Sequence, residues 1–320
     1  MMKAAALPLF FERVTERLAD CSYEIRRVFH GRGRCYEGLG QLTADWLGEG
    51  ILHIAVFKQA EPDFYRALEA GVNQLVKHPV WAMRKGKTVI IQHRDREGTE
   101  TEILTGEMPA QVEVIENGLK YKLDLGKRQN NGLFLDMRLG RQWVKEHAKG
   151  KRVLNLFAYT CGFSVAAIEG GAEKVVNLDM AKSSLSRGRE NHHLNQHDLS
   201  KVRFLGHELF KSWGKVKKLG PYDLVIIDPP SFQKGSFVLT KDYAKILRRL
   251  PELVAEGGEV LACVNAPDVK PSFLTEQMAA LAPDFSFVSR LDNPPEFEDI
   301  DADSALKVMH FKRLCLTHVL

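Results

Sequence analysis

The sequence predicts an α/β protein: a Rossmann-like, doubly wound sheet in its second half, preceded by a small α+β domain. Three stretches carry that expectation. The first is Val153-Leu-Asn-Leu-Phe-Ala-Tyr-Thr-Cys-Gly-Phe-Ser164, an apolar run that halts at small residues and resumes in Val165, Ala166, Ala167 and Ile168. An unbroken apolar run fits a strand buried on both faces, and the continuation fits a helix. The second is Lys174-Val-Val-Asn-Leu178, a further apolar strand that ends at Asp179. The third is Leu224-Val-Ile-Ile227, which runs into Asp228-Pro-Pro-Ser-Phe232.

The ends of these strands are where the chemistry is expected. Gly162 marks the turn after the first strand, either an ordinary βα turn or one whose main-chain N–H groups receive a nucleotide-like ligand. Asp179 stands roughly 20 residues beyond that turn, where a carboxylate can accept both hydroxyls of a ribose; a helix N-cap is the alternative. Two prolines straight after a buried strand forbid ladder pairing and impose a rigid extended turn. Such stiffness suits a planar substrate. Between these points Gly170-Gly171-Ala172 closes the helix, residues 183–195 read as the next helix, and the strand 202–205 leads to His207-Glu208.

Together with Gly132-Leu-Phe-Leu-Asp-Met-Arg138, Asn155-Leu-Phe-Ala-Tyr-Thr160, Leu178-Asp-Met180 and Val264-Asn265, these motifs resemble the class I S-adenosylmethionine-dependent methyltransferases. Within that superfamily they are most similar to the bacterial 23S rRNA methyltransferases. The guanine-N7 domain of the bifunctional large-subunit enzyme K/L is the nearer likeness, and the cytosine-C5 enzyme I the slightly more distant one. The resemblance implies a seven-stranded sheet with an antiparallel last strand, S-adenosylmethionine as cofactor with S-adenosylhomocysteine as product, and 23S rRNA or a large-subunit precursor as partner. It implies cofactor contacts from Asp136, Arg138, Phe157, Tyr159, Thr160, Gly162, Asp179, Met180, Glu208 and Asp228, with Arg138 near the methionine carboxylate and Glu208 near the adenine. Bland alternatives stand beside several of these: a helix-start ion pair for Asp136 and Arg138, core packing for Phe157, turn chemistry for Thr160. At the catalytic centre the resemblance implies Asp228, Pro229, Pro230, Phe232 and Asn265, the prolines and Phe232 holding the base plane.

The methylated atom follows from one further comparison. Methylation at cytosine C5 needs a cysteine thiolate that adds to C6. Aligning on Gly257-Gly258 puts Asn265 at that position, while Cys263, two residues earlier on the same strand face, reads as a small core residue unless the alignment slips. A purine nitrogen is therefore expected, guanine N7 before an exocyclic amine. The alternatives are cytosine C5, and a protein or small-molecule N-methyltransferase.

In the first part of the chain we expect a helical and basic segment over 1–40, a small α+β domain over 41–126 and the methyltransferase domain over 127–320. Arg26, Arg27, Arg32 and Arg34 surround Phe29 in a glycine-broken segment that either grips phosphates or is a solvated loop. Gly48-Glu-Gly50 and Glu116-Asn-Gly118 are hairpin signals, and 61–77 reads as a helix. The basic run Lys211-Ser-Trp-Gly-Lys-Val-Lys-Lys218 reads as a solvated face. A hydrophobic content of 44% can supply a core, and a net charge of +4 permits a nucleic-acid partner without requiring one. Five cysteines, widely spaced and without a CxxC pair, indicate neither a disulfide framework nor a metal site. No apolar run approaches the ~20 residues of a membrane span, and no signal-peptide core is evident, so a cytoplasmic protein is expected.

Overall fold

The computed structural model describes residues 2–94, 100–109, 111–125, 130–233 and 237–315. The chain divides into two compact units, Met1–Leu135 with Pro294–Asp301, and Asp136–Asn293 with Ala302–Leu320. The pieces expected separately at 1–40 and 41–126 thus share one unit, which also takes in residues up to 135 and the excursion 294–301.

In the first unit, α1 (Leu7–Asp20) and α2 (Pro62–Leu75) each bury one apolar stripe: Leu7, Phe10, Val14 and Leu18 on α1, Phe64, Leu68, Val72 and Leu75 on α2. Both stripes pack on one face of a five-stranded sheet in the order β1 (Arg26–His30), β2 (Leu42–Trp46), β3 (Ile51–Val56), β4 (Thr88–His93) and β5 (Glu100–Thr105). A short helix, α3 (Pro79–Met83), precedes β4, and the hairpin β6 (Val112–Glu116) with β7 (Leu119–Leu123) turns at Asn117 and Gly118, both left-handed. The expected hairpin at Gly48-Glu-Gly50 forms between β2 and β3.

The basic segment is only partly loop. Arg26 and Arg27 lie on β1, Arg32 in the 3-10 turn that follows and Arg34 just after it; on β1, Phe29 is fully buried among the core residues and packs edge-on against Phe10. Arg26 pairs with Glu24 at 2.8 Å, Arg27 with Asp45 at 2.5 Å and Arg34 with Asp299 at 3.0 Å. The excursion 294–301 is anchored here: Arg17 grips both oxygens of Glu298 at 2.9 Å, and Tyr36 donates to it at 2.7 Å. Glycine is required at position 33, because a Cβ there would lie 1.7 Å from the Glu298 carbonyl oxygen.

The second unit starts with α4 (Arg138–His147) and holds a seven-stranded sheet. Its strands are β8 (Arg152–Leu156), β9 (Lys174–Asp179), β10 (Val202–Gly206), β11 (Tyr222–Ile227), β14 (Val254–Val264), β15 (Phe285–Arg290) and β16 (Lys307–Arg313), in the spatial order β10-β9-β8-β11-β14-β16-β15. Only β16 runs antiparallel to its neighbours. The helices are α5 (Gly162–Glu169), α6 (Lys182–Leu194), α7 (Trp213–Leu219), α8 (Leu239–Leu247), α9 (Leu250–Leu253) and α10 (Ser272–Leu281), and a two-residue pair, β12 (Phe232–Gln233) with β13 (Phe237–Val238), follows β11. One sheet face packs on α4 and α5 through Val144, Phe163 and Ala167; the other packs on α8 and α10 through Tyr243, Ile246, Leu274 and Met278. Alternation along β14 accounts for both: Val260, Ala262 and Val264 point one way, Leu261 and Cys263 the other. No helix among the described residues is long and apolar enough to cross a membrane.

Candidate active site

Strand order reverses between β8 and β11, and open α/β sheets bind ligands in the crevice at such a point. The register there is level. Ile227 pairs with Leu156 and Leu156 with Leu178, so Asp228, Phe157 and Asp179 emerge side by side at the carboxyl edge.

The turn after β8 differs from expectation. Gly162 is simply the first residue of α5, and the left-handed positions are Phe157 (φ 58°), Tyr159 (φ 46°) and Cys161 (φ 63°). Such backbone costs on the order of 1–3 kcal/mol per residue and persists only where surroundings over-determine it. Here they do. The Asp179 carboxylate accepts from Tyr159 N–H through one oxygen and from Ala181 N–H through the other, each at 2.8 Å, and Ala158 N–H bonds Leu178 O at 3.0 Å. Thr160 is buried beneath the turn, with its carbonyl held by Asn191 Nδ2 at 3.0 Å. Burial raises the Asp179 pKa, against the lowering effect of those two backbone bonds.

A narrow cleft opens beside this turn, lined by Phe157, Leu178, Asp179, Met180, His207, Glu208, Leu209, Phe210 and Phe237. Phe157 meets Phe237 edge-on at 5.0 Å, and Phe210 stacks parallel to Phe237 at 6.4 Å. Met180 is 45% exposed at the rim. Glu208 caps a 3-10 turn through Phe210 N–H at 2.9 Å, so its carboxylate is fixed in direction. An apolar slot with one carboxylate at the β9 end and another at the β10 end suits an adenosine: rings for the purine, acceptors for the ribose hydroxyls and the exocyclic amine. Tyr159, Thr160 and Gly162 belong to the adjoining turn.

A second cluster surrounds Asp228. Asn265, exposed just past β14, donates from Nδ2 to Asp136 at 3.1 Å, and Ser231 Oγ donates to the Asn265 carbonyl at 2.6 Å. Burial, and then the Asp136 charge, push the Asp228 carboxyl up to about 7, while Arg141 acts in the opposite direction. Pro229 is buried and Pro230 exposed, and the Phe232 side chain lies outside the described residues. Cys263 is fully buried, its thiol raised well above the ordinary range by burial and by the nearby Asp228 and Asp136. Arg138 opens α4, partly buried. Residues 126–129 of the loop leading to it lie outside the described part.

Two buried cations belong to this surrounding and had no signal of their own in the sequence. Arg141, 4% exposed, lies one turn after Arg138 on α4. Lys307, fully buried on β16, holds the Ala266 carbonyl at 2.7 Å and so fixes the loop after Asn265. Tyr243 likewise ties the sheet's edge together, its hydroxyl donating toward the carbonyls of Cys263 at 3.2 Å and Ile227 at 3.4 Å.

The family described as S-adenosylmethionine-dependent methyltransferase matches residues 26–312. Ribosomal RNA large subunit methyltransferase I of Aeromonas salmonicida is 32% identical over 70% of this chain and 57% of its own length. The protein of the same name from Vibrio vulnificus is 37% identical over 52% of this chain and 45% of its own. The chain therefore spans less than two thirds of these relatives. Among solved structures, SMU.776 complexed with SAH superposes with a TM-score of 0.80 and 26% identity, over 95% of this chain and 79% of that one.

Proposed function

Because the chain belongs to the S-adenosylmethionine-dependent methyltransferase family, we propose that it methylates a base nitrogen of large-subunit ribosomal RNA, guanine N7 in preference to an exocyclic amine. Its cofactor is S-adenosylmethionine, which supplies a methyl carbon already activated by a positively charged sulfur. The residues in the cleft then have to bind and align. Asp179 receives the ribose, Glu208 and the three phenylalanine rings receive the adenine, and the level strand ends set this cleft beside Asp228. An rRNA substrate accords with the cytoplasmic location expected from the sequence.

The observation that carries the choice of atom is an exposed Asn265 bound to Asp136 beside Asp228, with Cys263 sealed in the core. Guanine N7 has an in-plane lone pair and no proton, so no base has to remove one. Methylation leaves the purine positively charged, and negative potential from Asp136, joined by Asp228 once it releases the proton that its raised value of about 7 lets it hold, stabilises that charge as it develops. The Asn265 amide can donate to a purine O6 or accept from an amine, but it cannot add to a pyrimidine. Pro229 and Pro230 stiffen the rim against which a flipped or single-stranded base would lie.

Cytosine C5 is the second reading, favoured by the name shared by the relatives, since enzyme I is the cytosine-C5 type in the resemblance described above. The two readings separate on labelled methyl transfer to deproteinised rRNA, to assembled subunits and to protein. Label in rRNA is expected. Cys263→Ala should retain transfer, whereas Asp228→Ala and Asn265→Ala should each lower it, by roughly 100-fold if they act on developing charge. Loss of transfer in a folded Cys263→Ala protein, with a trapped adduct on 5-fluorocytosine RNA, would decide for cytosine C5; label confined to protein would remove RNA altogether.

A further inference from the structure

We propose that the open groove between α7 and the α8–α9 corner is a second RNA-contacting surface, taking a single-stranded segment that flanks the target nucleotide. The proposal rests on the rRNA reading and extends it to residues outside the cofactor cleft. The groove is open to solvent and is lined by Phe210, Trp213, Lys245, Arg248 and Arg249. Every charged residue in that lining is a cation. Lys245 Nζ lies 5.0 Å from the Phe210 ring centroid and Arg249 Cζ 5.9 Å from that of Trp213, while the two rings are 6.2 Å apart.

The carboxylates around these cations offset only part of their charge. Asp242 pairs with Lys245 at 2.7 Å, and Glu252 is shared between Arg249 at 3.3 Å and Lys217 at 3.0 Å. Arg248 is exposed and has no carboxylate partner among the described residues. Of the run read as a solvated face, Trp213 lines the groove and Lys217 reaches its border through Glu252. Cations beside aromatic platforms match a single-stranded nucleic acid, whose phosphates take the charges and whose bases stack on the rings irrespective of sequence. An acidic peptide would use the cations and leave the rings without a role. Phe210 lines both this groove and the adenosine-fitting cleft, which makes the surface continuous with the site.

The test uses the full chain with an unstructured, fluorescein-labelled oligouridine, measured by anisotropy across a salt series, alongside calorimetry of S-adenosylmethionine binding. Arg248→Ala/Arg249→Ala should weaken oligouridine binding at least tenfold and flatten its salt dependence by about 1–2 units of log–log slope. Trp213→Ala should weaken it and Trp213→Phe should restore it, as a stacking platform requires, and cofactor affinity should not change in any of them. Unchanged oligouridine affinity and salt slope in the double variant, or competition by polyglutamate and not by polyuridine, would overturn the proposal. Wild-type protein that methylates no RNA would overturn the rRNA reading instead, and that outcome is scored by methyl transfer, independently of these binding measurements.

Discussion

Asp179 combines two tasks that are usually separate. Each of its oxygens already accepts one backbone N–H, from Tyr159 and from Ala181, and each retains a lone-pair direction for a ribose hydroxyl. Asp179→Ala should therefore weaken S-adenosylmethionine binding by about 1.5–3 kcal/mol, the range for a hydrogen bond to a charged group, or roughly 10- to 150-fold. Titration calorimetry reads this directly, and an unchanged affinity would refute the ribose assignment. The position was legible in the sequence because strand length and the spacing from the first turn place a carboxylate at the edge of β9. Arg141 and Lys307 were not legible. A buried cation is written like an exposed one, and the proximity of Arg141 to Asp228 joins residues distant along the chain. The left-handed positions were not legible either: left-handed backbone favours glycine, yet this turn gives those positions to Phe157, Tyr159 and Cys161 and holds Tyr159 from Asp179.

The turn after β8 also depends on the helix that crosses it. On α6, a Cβ added at Gly188 would lie 2.3 Å from Cys161 Sγ and 2.8 Å from its Cβ, closer than packed atoms allow. Intrinsic propensity favours alanine over glycine inside a helix by about 1 kcal/mol. Overpacking costs typically about 1–3 kcal/mol and falls on a residue already left-handed, so the clash should win. Gly188→Ala is expected to lower the unfolding midpoint and, by displacing Tyr159 from Asp179, to weaken cofactor binding in parallel. A variant that is stabilised and binds normally would show that α6 shifts without consequence. At this scale the sequence was informative about β8, β9 and β11, whose apolar runs, broken only by Asn155 and Asn177, end at small or acidic residues. It was uninformative about β1, where a bulge between Arg27 and Phe29 breaks the alternation and a polar sheet face brings Arg27 opposite Asp45. It missed β5, a mostly exposed strand at the sheet's edge with little apolar pattern to detect.

Across the whole chain, the buried histidines set the response to acid. His192 in the second unit is fully buried and lowered to about 3, chiefly by burial and then by His197 and His193. His30 and His53 in the first unit are each lowered to about 4, by burial first and with help from Arg27, against the raising effect of Asp45. The surroundings of His192 explain its neutrality. Asn155 donates to Asn177 and Asn177 to Ser164, whose hydroxyl lies 2.9 Å from His192 Nε2, and with His192 neutral we take Ser164 as the donor there. In that arrangement His192 carries its proton on Nδ1, facing His197 Nδ1 at 2.9 Å, and His197 presents Nε2 to Glu169 at 3.2 Å. A second proton on His192 would oppose that chain. Between pH 6.5 and about 4 the unfolded chain binds protons that these histidines in the folded chain refuse, so stability falls as pH falls, each contributing a slope of up to about 1.4 kcal/mol per pH unit. Asp228 acts in the opposite sense: raised to about 7, it holds a proton in the folded state that the unfolded chain releases above its ordinary value of 3.8, so it recovers some stability over the same window. Three histidines against one strongly raised aspartate leave a net loss toward acid. Urea-unfolding midpoints measured from pH 7.5 to 4.5 should decline, and His192→Asn should reduce the slope by close to one proton while lowering stability at pH 7.5. A midpoint that stays level or rises toward acid would mean that these histidines are protonated in the folded chain and that the Asn155-to-Glu169 chain does not run in the direction inferred.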